Sequence, residues 1–330
     1  MANGSGRLLE LDKQKDVWAD LFSEQETALD VQMQHLCVRE GSFIHLIRLW
    51  HGIFLWANDI HLARLEYPVN VFDEKDFLLV NLCHTGRCEV ELAKGGYVYM
   101  APGILNVTAC PPQSCYSYPG GQYGGIEIGF ELGLLRERMP DALAAYGIGL
   151  PLLRSYAAKG NLLAKMTAAG MAEGKELFRL LCGDGHSVQE LRFASLSLLY
   201  HLLHGDAEVV DCEVLVSKGQ RRIVTEAERM LCGDLGRRYT VEELAGHFGI
   251  SASALKKYFM AVYGRPVSRY MKEKRMEQAK RLLAASSESV GDIALACGYE
   301  HQGKFGMAFK AYAKVSPLEY RRLYWKGGAE

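Results

Sequence analysis

No stretch of this 330-residue chain approaches the run of about 20 apolar residues that a membrane-spanning helix needs, and the first six residues, Met1-Ala2-Asn3-Gly4-Ser5-Gly6, contain no apolar signal region. A cytoplasmic location, away from any membrane, is therefore expected. Cys-x-x-Cys is also missing, although there are nine cysteines: Cys37, Cys83, Cys88, Cys110, Cys115, Cys182, Cys212, Cys232 and Cys297. An odd number without that spacing argues against a disulfide scaffold, and the expectation is reduced thiols packed as small hydrophobes. The pairs Cys83/Cys88 and Cys110/Cys115, and His201 with His204, are spaced for a metal. The histidines lack carboxylate or Cys support, and no metal or other cofactor is expected.

Net charge is nearly absent as well, at −1, but the balance hides a division. Ser217 to Glu330 holds 21 Lys and Arg against 12 Asp and Glu, and the rest of the chain holds 17 against 27. A basic C-terminal third behind an acidic remainder suits a nucleic-acid-binding module attached to a sensor.

That basic third contains one pattern twice. Leu244-Ala245-x-x-x-Gly249-Ile250 continues to Leu255 and Phe259, and Ile293-Ala294-x-x-x-Gly298-Tyr299 continues to Phe305 and Phe309. A small Ala lets two helices cross closely, and Gly supplies the positive φ of a tight inter-helix turn. The apolar residue after the Gly plugs the core, and the apolar pair four residues apart faces inward on the following helix. This is a helix-turn-helix, repeated and joined by one helical stretch. Thr240 and Glu243 form a capping box, Ser251 and Ser289 are N-caps, and Ser316-Pro317 opens the last helix. The joining helix, from Pro266 to about Ala285, turns Tyr270, Met271, Met276, Ala279 and Leu282-Leu283 inward. Arg269, Lys272, Lys274, Arg275, Lys280 and Arg281 are expected outward.

Residues 1–40 are polar, with a helix expected over Val17 to Gln34. From about Ser42 to Phe130 the texture is short β-type runs (Phe43–Ile47, Phe77–Leu82, Glu89–Leu92, Tyr97–Met100, Gly125–Phe130) broken by Gly and Pro turns. Such a series suggests an antiparallel barrel or jelly roll with room for a small ligand. Trp50, Trp56, Arg87, Tyr97 and Tyr99 are the polar-aromatic residues chosen as effector contacts. Leu132 to Asp211 reads as helical. Leu177, Leu180 and Leu181, then Leu191, Ala194, Leu198 and His201 with Leu199 and Leu202, recur at helical spacing. These stripes either cover the barrel or pair with a second copy, and a dimer suits palindromic DNA sites.

Gly96-x5-Pro102-Gly103 resembles the second motif of the cupin barrels. Metal-binding cupins carry His-x-His and Glu on the first motif and a His after the Pro-Gly turn. Here those regions read Arg87-Cys88-Glu89 and Asn106, so the ligand set for a catalytic metal is missing. The C-terminal third resembles the AraC/XylS type of bacterial transcriptional regulators over about Gln220 to Tyr324. The residues carrying this are Ala279-Lys280-Arg281-Leu282-Leu283, Ser289-Val290-Gly291-Asp292-Ile293-Ala294, Gly298-Tyr299 through Phe305 and Phe309-Lys310, and Ser316-Pro317-Leu318-Glu319-Tyr320-Arg321.

The resemblance implies that the second helix of each motif enters the major groove of double-stranded DNA. By position, the first reader presents Ser253, Ala254, Lys256 and Lys257, with Ser251 and Ser289 as cap residues near phosphates. The second departs from the family pattern: Gly303, Gly306 and Met307 stand where polar residues, a Ser or Thr and an Arg are usual, and Lys314 replaces a usual Gly. His301 opens this helix, and Gln302 and Lys304, with Lys310 on the backbone and a methyl contact from Met307, are left to carry its contact.

The expected fold is multidomain β + α. A cupin-like antiparallel β-barrel sensor spans 1–135, a helical linker or dimerisation segment spans 136–216, and an all-α DNA-binding domain with two helix-turn-helix motifs spans 217–330. The expected function is a dimeric, effector-responsive, sequence-specific transcriptional regulator, not an enzyme, with RNA polymerase as a further partner. The alternatives are an enzyme, either a cupin-type metalloenzyme, whose His and Glu ligands are missing, or a repair methyltransferase, which would need an activated Cys with a basic partner, and a constitutive architectural DNA-binding protein.

Overall fold

The computed structural model describes residues 9–10, 34–39, 41–66, 76–92, 95–109, 115–183, 185–203, 207–209 and 215–325. They fall into two compact units, Met1–Leu215 and Val216–Glu330. The helix expected over Val17 to Gln34 lies outside the described residues except at its end, where Gln34 opens a strand.

The first unit contains β1 (Leu9–Glu10), β2 (Gln34–Arg39), β3 (Ser42–Trp50), β4 (Ile53–Ile60), β5 (Arg64–Glu66), β6 (Phe77–Gly86), β7 (Cys88–Glu91), β8 (Tyr97–Met100), β9 (Ile104–Thr108), β10 (Cys115–Ser117) and β11 (Tyr123–Glu131). Helices α1 (Leu132–Glu137), α2 (Asp141–Ala145) and α3 (Leu150–Ala158) follow, then β12 (Leu162–Met166), α4 (Ala168–Cys182), α5 (Val188–Leu203) and β13 (Ala207–Val209). Nine strands form one sheet in the order β1-β2-β3-β4-β11-β6-β9-β12-β13, and β10–β5 and β7–β8 form two small sheets. All described pairings are antiparallel except β1 with β2.

The closed barrel expected from the sequence does not form among the described strands. Among the described strands the large sheet is open, with β1 and β13 at its two ends. The reason lies in the alternation of β4 and β6, which are apolar on both faces. Leu55, Ala57, Leu78, Val80 and Leu82 join one core together with Leu177, Leu181, Leu191 and Leu198 of α4 and α5. Phe54, Trp56, Phe77, Leu79 and Cys83 join a second core with Leu65, Cys88, Met100 and Tyr118 from around the small sheets. A sheet covered by helices on one side and by short strands on the other buries both faces without closing on itself.

The helical texture expected from Leu132 to Asp211 is interrupted by β12 and β13. Leu162-Leu163-Ala164-Lys165-Met166 pairs with β9, because an open edge strand offers its hydrogen bonds to a run whose Leu content alone suggested helix. The stripes of α4 and α5 are occupied within the chain: Leu177, Leu180, Leu181, Leu191, Ala194, Leu198, Leu199 and Leu202 all belong to the helix-side core.

The second unit is all helical: α6 (Lys218–Gly233), α7 (Val241–His247), α8 (Ala252–Tyr263), α9 (Val267–Ala285), α10 (Val290–Ala296), α11 (Gln302–Ala313) and α12 (Pro317–Tyr324). Helix α8 packs on α6 and α7, and α9 packs on α10, α11 and α12. Leu255 and Phe259 are fully buried on α8, as are Phe305 and Phe309 on α11, and each such side chain contributes about 1.5–3 kcal/mol. Phe259, Tyr263 and Tyr270 cluster around the α8–α9 corner in tilted and edge-on pairs with centroids 4.5–5.4 Å apart. Met276, Ala279 and Leu283 carry α9 into the core of the second motif.

Candidate functional site

Each helix-turn-helix is built by its caps and its turn. At the first, Thr240 Oγ1 accepts from the Glu243 N–H at 3.1 Å while Glu243 Oε2 accepts from the Thr240 N–H at 2.7 Å. Gly249 then turns the chain at φ +65°, and Ser251 Oγ accepts from the Ala254 N–H at 3.2 Å to start α8. At the second, Ser289 Oγ accepts from the Asp292 N–H at 3.1 Å and donates to Asp292 Oδ2 at 2.6 Å. Gly298 turns at φ +74°, and a Cβ there would meet Leu235 O at 2.7 Å. Helix α11 has His301 as its N-cap without a side-chain hydrogen bond, so the second reader starts less firmly than the first. The two readers end alike, with Gly264 after α8 and Lys314 after α11 both left-handed. For Lys this conformation costs about 1–2 kcal/mol.

With Leu255 and Phe259 pinned inward, α8 exposes Ser253, Lys256 and Lys257 and half-buries Ala254. Ser251 Oγ lies 3.0 Å from Ser253 Oγ. Lys256 leans 4.0 Å from Glu242 of α7, whereas Lys257 has no ion pair among the described residues. On α11, Phe305 and Phe309 face inward and His301, Gln302, Gly303, Lys304, Met307 and Lys310 are exposed, with Met307 at 70%. A Cβ built at Gly303 or Gly306 meets nothing within 4 Å. Packing within the chain therefore does not require either glycine. Most of the proposed contact residues are thus exposed on the two reader helices, whereas Ala254 is half-buried and Ser289 caps α10, the helix before the second reader.

Arginine placement is a feature that residue pattern missed. Arg275, expected outward on α9, is half-buried and donates to Leu235 O at 2.9 Å and Arg237 O at 3.1 Å. Arg238 donates to Gly298 O at 3.1 and 2.7 Å. The loop leading to the first motif is thus fastened both to the joining helix and to the turn of the second motif.

In the first unit, the five residues chosen as effector contacts are not brought together. Trp50 packs at the helix-side core under the Arg192 guanidinium, 5.4 Å from its ring. Trp56 lies in the opposite core. Arg87, Tyr97 and Tyr99 are on or beside the β7–β8 sheet, where Arg87 donates to Tyr99 O at 3.3 Å and the Tyr99 hydroxyl donates to Glu89 at 2.7 Å. The structure shows instead a buried polar row. Trp56, Glu127, Asn81 and Asn106 stand in register across β4, β11, β6 and β9. Trp56 Nε1 donates to Glu127 Oε2, and Asn58 and Asn81 donate to Glu127 Oε1 at 3.0 and 2.8 Å. Tyr123 donates to Asn81 Oδ1 at 2.6 Å. Burial pushes the Glu127 carboxyl up to about 7, against the hydrogen bonds from Trp56 and Asn58. Asn58 Oδ1 and Asn106 Oδ1 are buried without a hydrogen-bond partner among the described residues. Polar residues inside apolar strand runs, as in Leu55-Trp56-Ala57-Asn58 and Ile126-Glu127-Ile128, were the available signal.

Burial also pushes the thiols of Cys83, Cys182 and Cys232 up to about 12 and that of Cys297 to about 11. These side chains are packing groups rather than thiolates at neutral pH. Among the described residues no cluster of His, Cys, Asp and Glu is arranged to hold a metal. His204, Cys110 and Cys212 lie outside those residues, as does the Cys37 side chain.

A family model described as a helix-turn-helix domain matches residues 244–323. The chain is 31% identical over 102 residues to the HTH-type transcriptional activator AarP of Providencia stuartii, covering 31% of this chain and 76% of that protein. It is 26% identical over 168 residues to the HTH-type transcriptional activator RhaR of Klebsiella pneumoniae, covering 48% of this chain and 57% of that one, so the match spans little more than half of RhaR. Among solved structures, a transcriptional regulator with an AraC-type DNA-binding domain from Chromobacterium violaceum aligns over 33% of this chain and 98% of its own, at 26% identity and a TM-score of 0.31. The chain belongs to the AraC/XylS family of DNA-binding transcriptional regulators.

Proposed function

We propose that this family member is a cytoplasmic regulator that binds promoter DNA sequence-specifically as a homodimer and answers to a small molecule held by its β-rich unit. In this reading residues 1–135 are a cupin-like sensor in open-sheet form, 136–216 a helical segment that also dimerises, and 217–330 the DNA-binding domain. RNA polymerase is the further partner, and no catalytic step is assigned to the chain.

The observation that supports this most is the pair of reader helices, α8 and α11, the first capped by Ser251 and each pinned by two inward aromatic or aliphatic side chains with an exposed outer surface. Ser253, Lys256 and Lys257 on the first, with Gln302 and Lys304 on the second, suit base edges and phosphates. Ala254, Gly303 and Met307 allow close approach and methyl contact, and Ser251, Ser289, His301 and Lys310 flank the backbone. Dimerisation finds support on the outer face of α5, where Phe193 is 73% and Tyr200 45% exposed.

Hydroxyl-radical footprinting of the full chain on fragments of its own genome tests this. Two protected segments per half-site, about one helical turn apart on one face of the duplex, are expected from two readers in successive grooves. A single protected segment, or uniform protection without boundaries, contradicts it.

A further inference from the structure

The first unit contains a cavity of about 110 Å³ on the side of the sheet away from Glu127. Its floor is Leu78, Val80, Leu105 and Val107, and its walls come from Phe130, from Leu153 of α3 and from Leu199 and Leu202 of α5. The floor and wall residues named here are all buried. Protein cores seldom keep voids of this size. An apolar cavity of about 150 Å³ stays dry and admits benzene, so this one takes a hydrocarbon group of comparable or slightly smaller size. The mouth is different in character. Tyr156, Lys159 and Val209 rim it, and the Lys159 ammonium sits 4.6 Å from the Tyr156 ring centre. Among the described residues Lys159 is exposed, carries the only formal charge in the lining and has no carboxylate partner.

We propose that this cavity is a binding site for a small apolar carboxylic acid, its hydrocarbon part inside the void and its carboxylate at Lys159. Hydrocarbon burial supplies affinity, and the single cation at the rim selects an acid over an alcohol or an amine. None of Trp50, Trp56, Arg87, Tyr97 and Tyr99 lines the cavity. The site also has a route to the DNA-binding unit along the chain. Leu199, Leu202 and Val209 belong to the last elements before Val216, where the second unit begins. An acid in the cavity therefore packs against elements that directly precede the DNA-binding unit in the sequence. A regulatory consequence, though not the site itself, rests on the effector-responsive reading above.

Calorimetric titration of the full chain tests the site with hexanoate and benzoate, and with hexanol and hexylamine as neutral and cationic controls. Both acids are expected to bind at one site per chain. Hexanol is expected to bind about two- to fivefold more weakly than hexanoate, as an exposed ion pair warrants, and hexylamine more weakly still. Lys159→Gln, on the surface, should leave the fold intact and bring hexanoate to the level of hexanol. Ala164→Phe, which fills the cavity from β12, should weaken both acids by at least about tenfold. Absence of saturable binding by either acid overturns the proposal. So does hexanol binding as tightly as hexanoate, or acid binding unchanged by both substitutions. DNA binding of the same samples, measured without acid, separates the two readings: intact DNA binding with no acid binding sinks the cavity proposal alone, and acid binding with no DNA binding sinks the regulator alone.

Discussion

The Arg238 guanidinium donates two hydrogen bonds to the carbonyl of Gly298, 60 residues further along the chain. Gly298 makes the turn of the second helix-turn-helix, and Arg238 lies in the loop that leads to the first, so this contact fixes one motif against the other. Arg238→Ala is expected to cost about 1 kcal/mol of unfolding free energy, the value of a charged hydrogen bond discounted for its partial exposure. It should also cut affinity for a two-motif DNA site more than for a site containing the first half alone. Equal loss on both DNAs would mean that the clasp does not hold the readers in register.

Lys256 and Lys257 are neighbours with different surroundings. Lys256 leans toward Glu242, and Lys257 projects from α8 without an ion pair among the described residues. Lys257→Ala should lower specific affinity by about 1–3 kcal/mol if its ammonium reads guanine. Titrations against the selected site and against random duplex check this. An equal loss on both would make Lys257 a phosphate contact.

The second reader is under-built by its own sequence. Gly306 has open space where a Cβ would stand, so Gly306→Ala should stabilise the second unit by about 1 kcal/mol, the ordinary difference in helix propensity. Denaturant titration reads this directly, and a destabilised variant would show that the open space is filled by something else. Met307→Arg places a cation at a side chain that is 70% exposed and should raise DNA affinity. Unchanged affinity would place α11 away from the groove.

The DNA-binding third was nearly complete in the sequence because its signals are local. Thr240 with Glu243 dictates a cap, Gly249 and Gly298 dictate turns, and Phe305 and Phe309 dictate an inward face. What escaped is long-range: Arg238 and Arg275 look like surface charges until the fold brings the Gly298 and Leu235 carbonyls to them. The first unit was legible in texture but not in closure. Strands such as Phe77-Leu78-Leu79-Val80 are apolar on both faces, and nothing local says whether the second face is covered by helices, short strands or the sheet itself. The same ambiguity hid the placement of the aromatics, since a strand texture does not say that β3 and β4 send Trp50 and Trp56 to opposite faces.

Glu127 gives the first unit a pH signature. Its carboxyl titrates near 4.5 when free and near 7 in the fold, chiefly because it is buried. The folded chain therefore holds the proton over a range where the unfolded chain has lost it, and stability falls as pH rises from about 4.5 through about 7 before levelling. Full development of this effect corresponds to about 3 kcal/mol. Unfolding free energies of the wild type and Glu127→Gln, compared at pH 5, 6, 7 and 8, should diverge with rising pH at the wild type's expense. Parallel curves would mean that Glu127 does not titrate in this window.

Whether this chain reads DNA sequence with two coupled helices is decided by selection of bound duplexes from a random pool at two salt concentrations. An enriched motif is expected at both, with half-sites a whole number of helical turns apart and a stronger consensus under the first reader than under the second. Binding that weakens with salt and enriches no motif would leave phosphate contacts only and would rule out sequence reading.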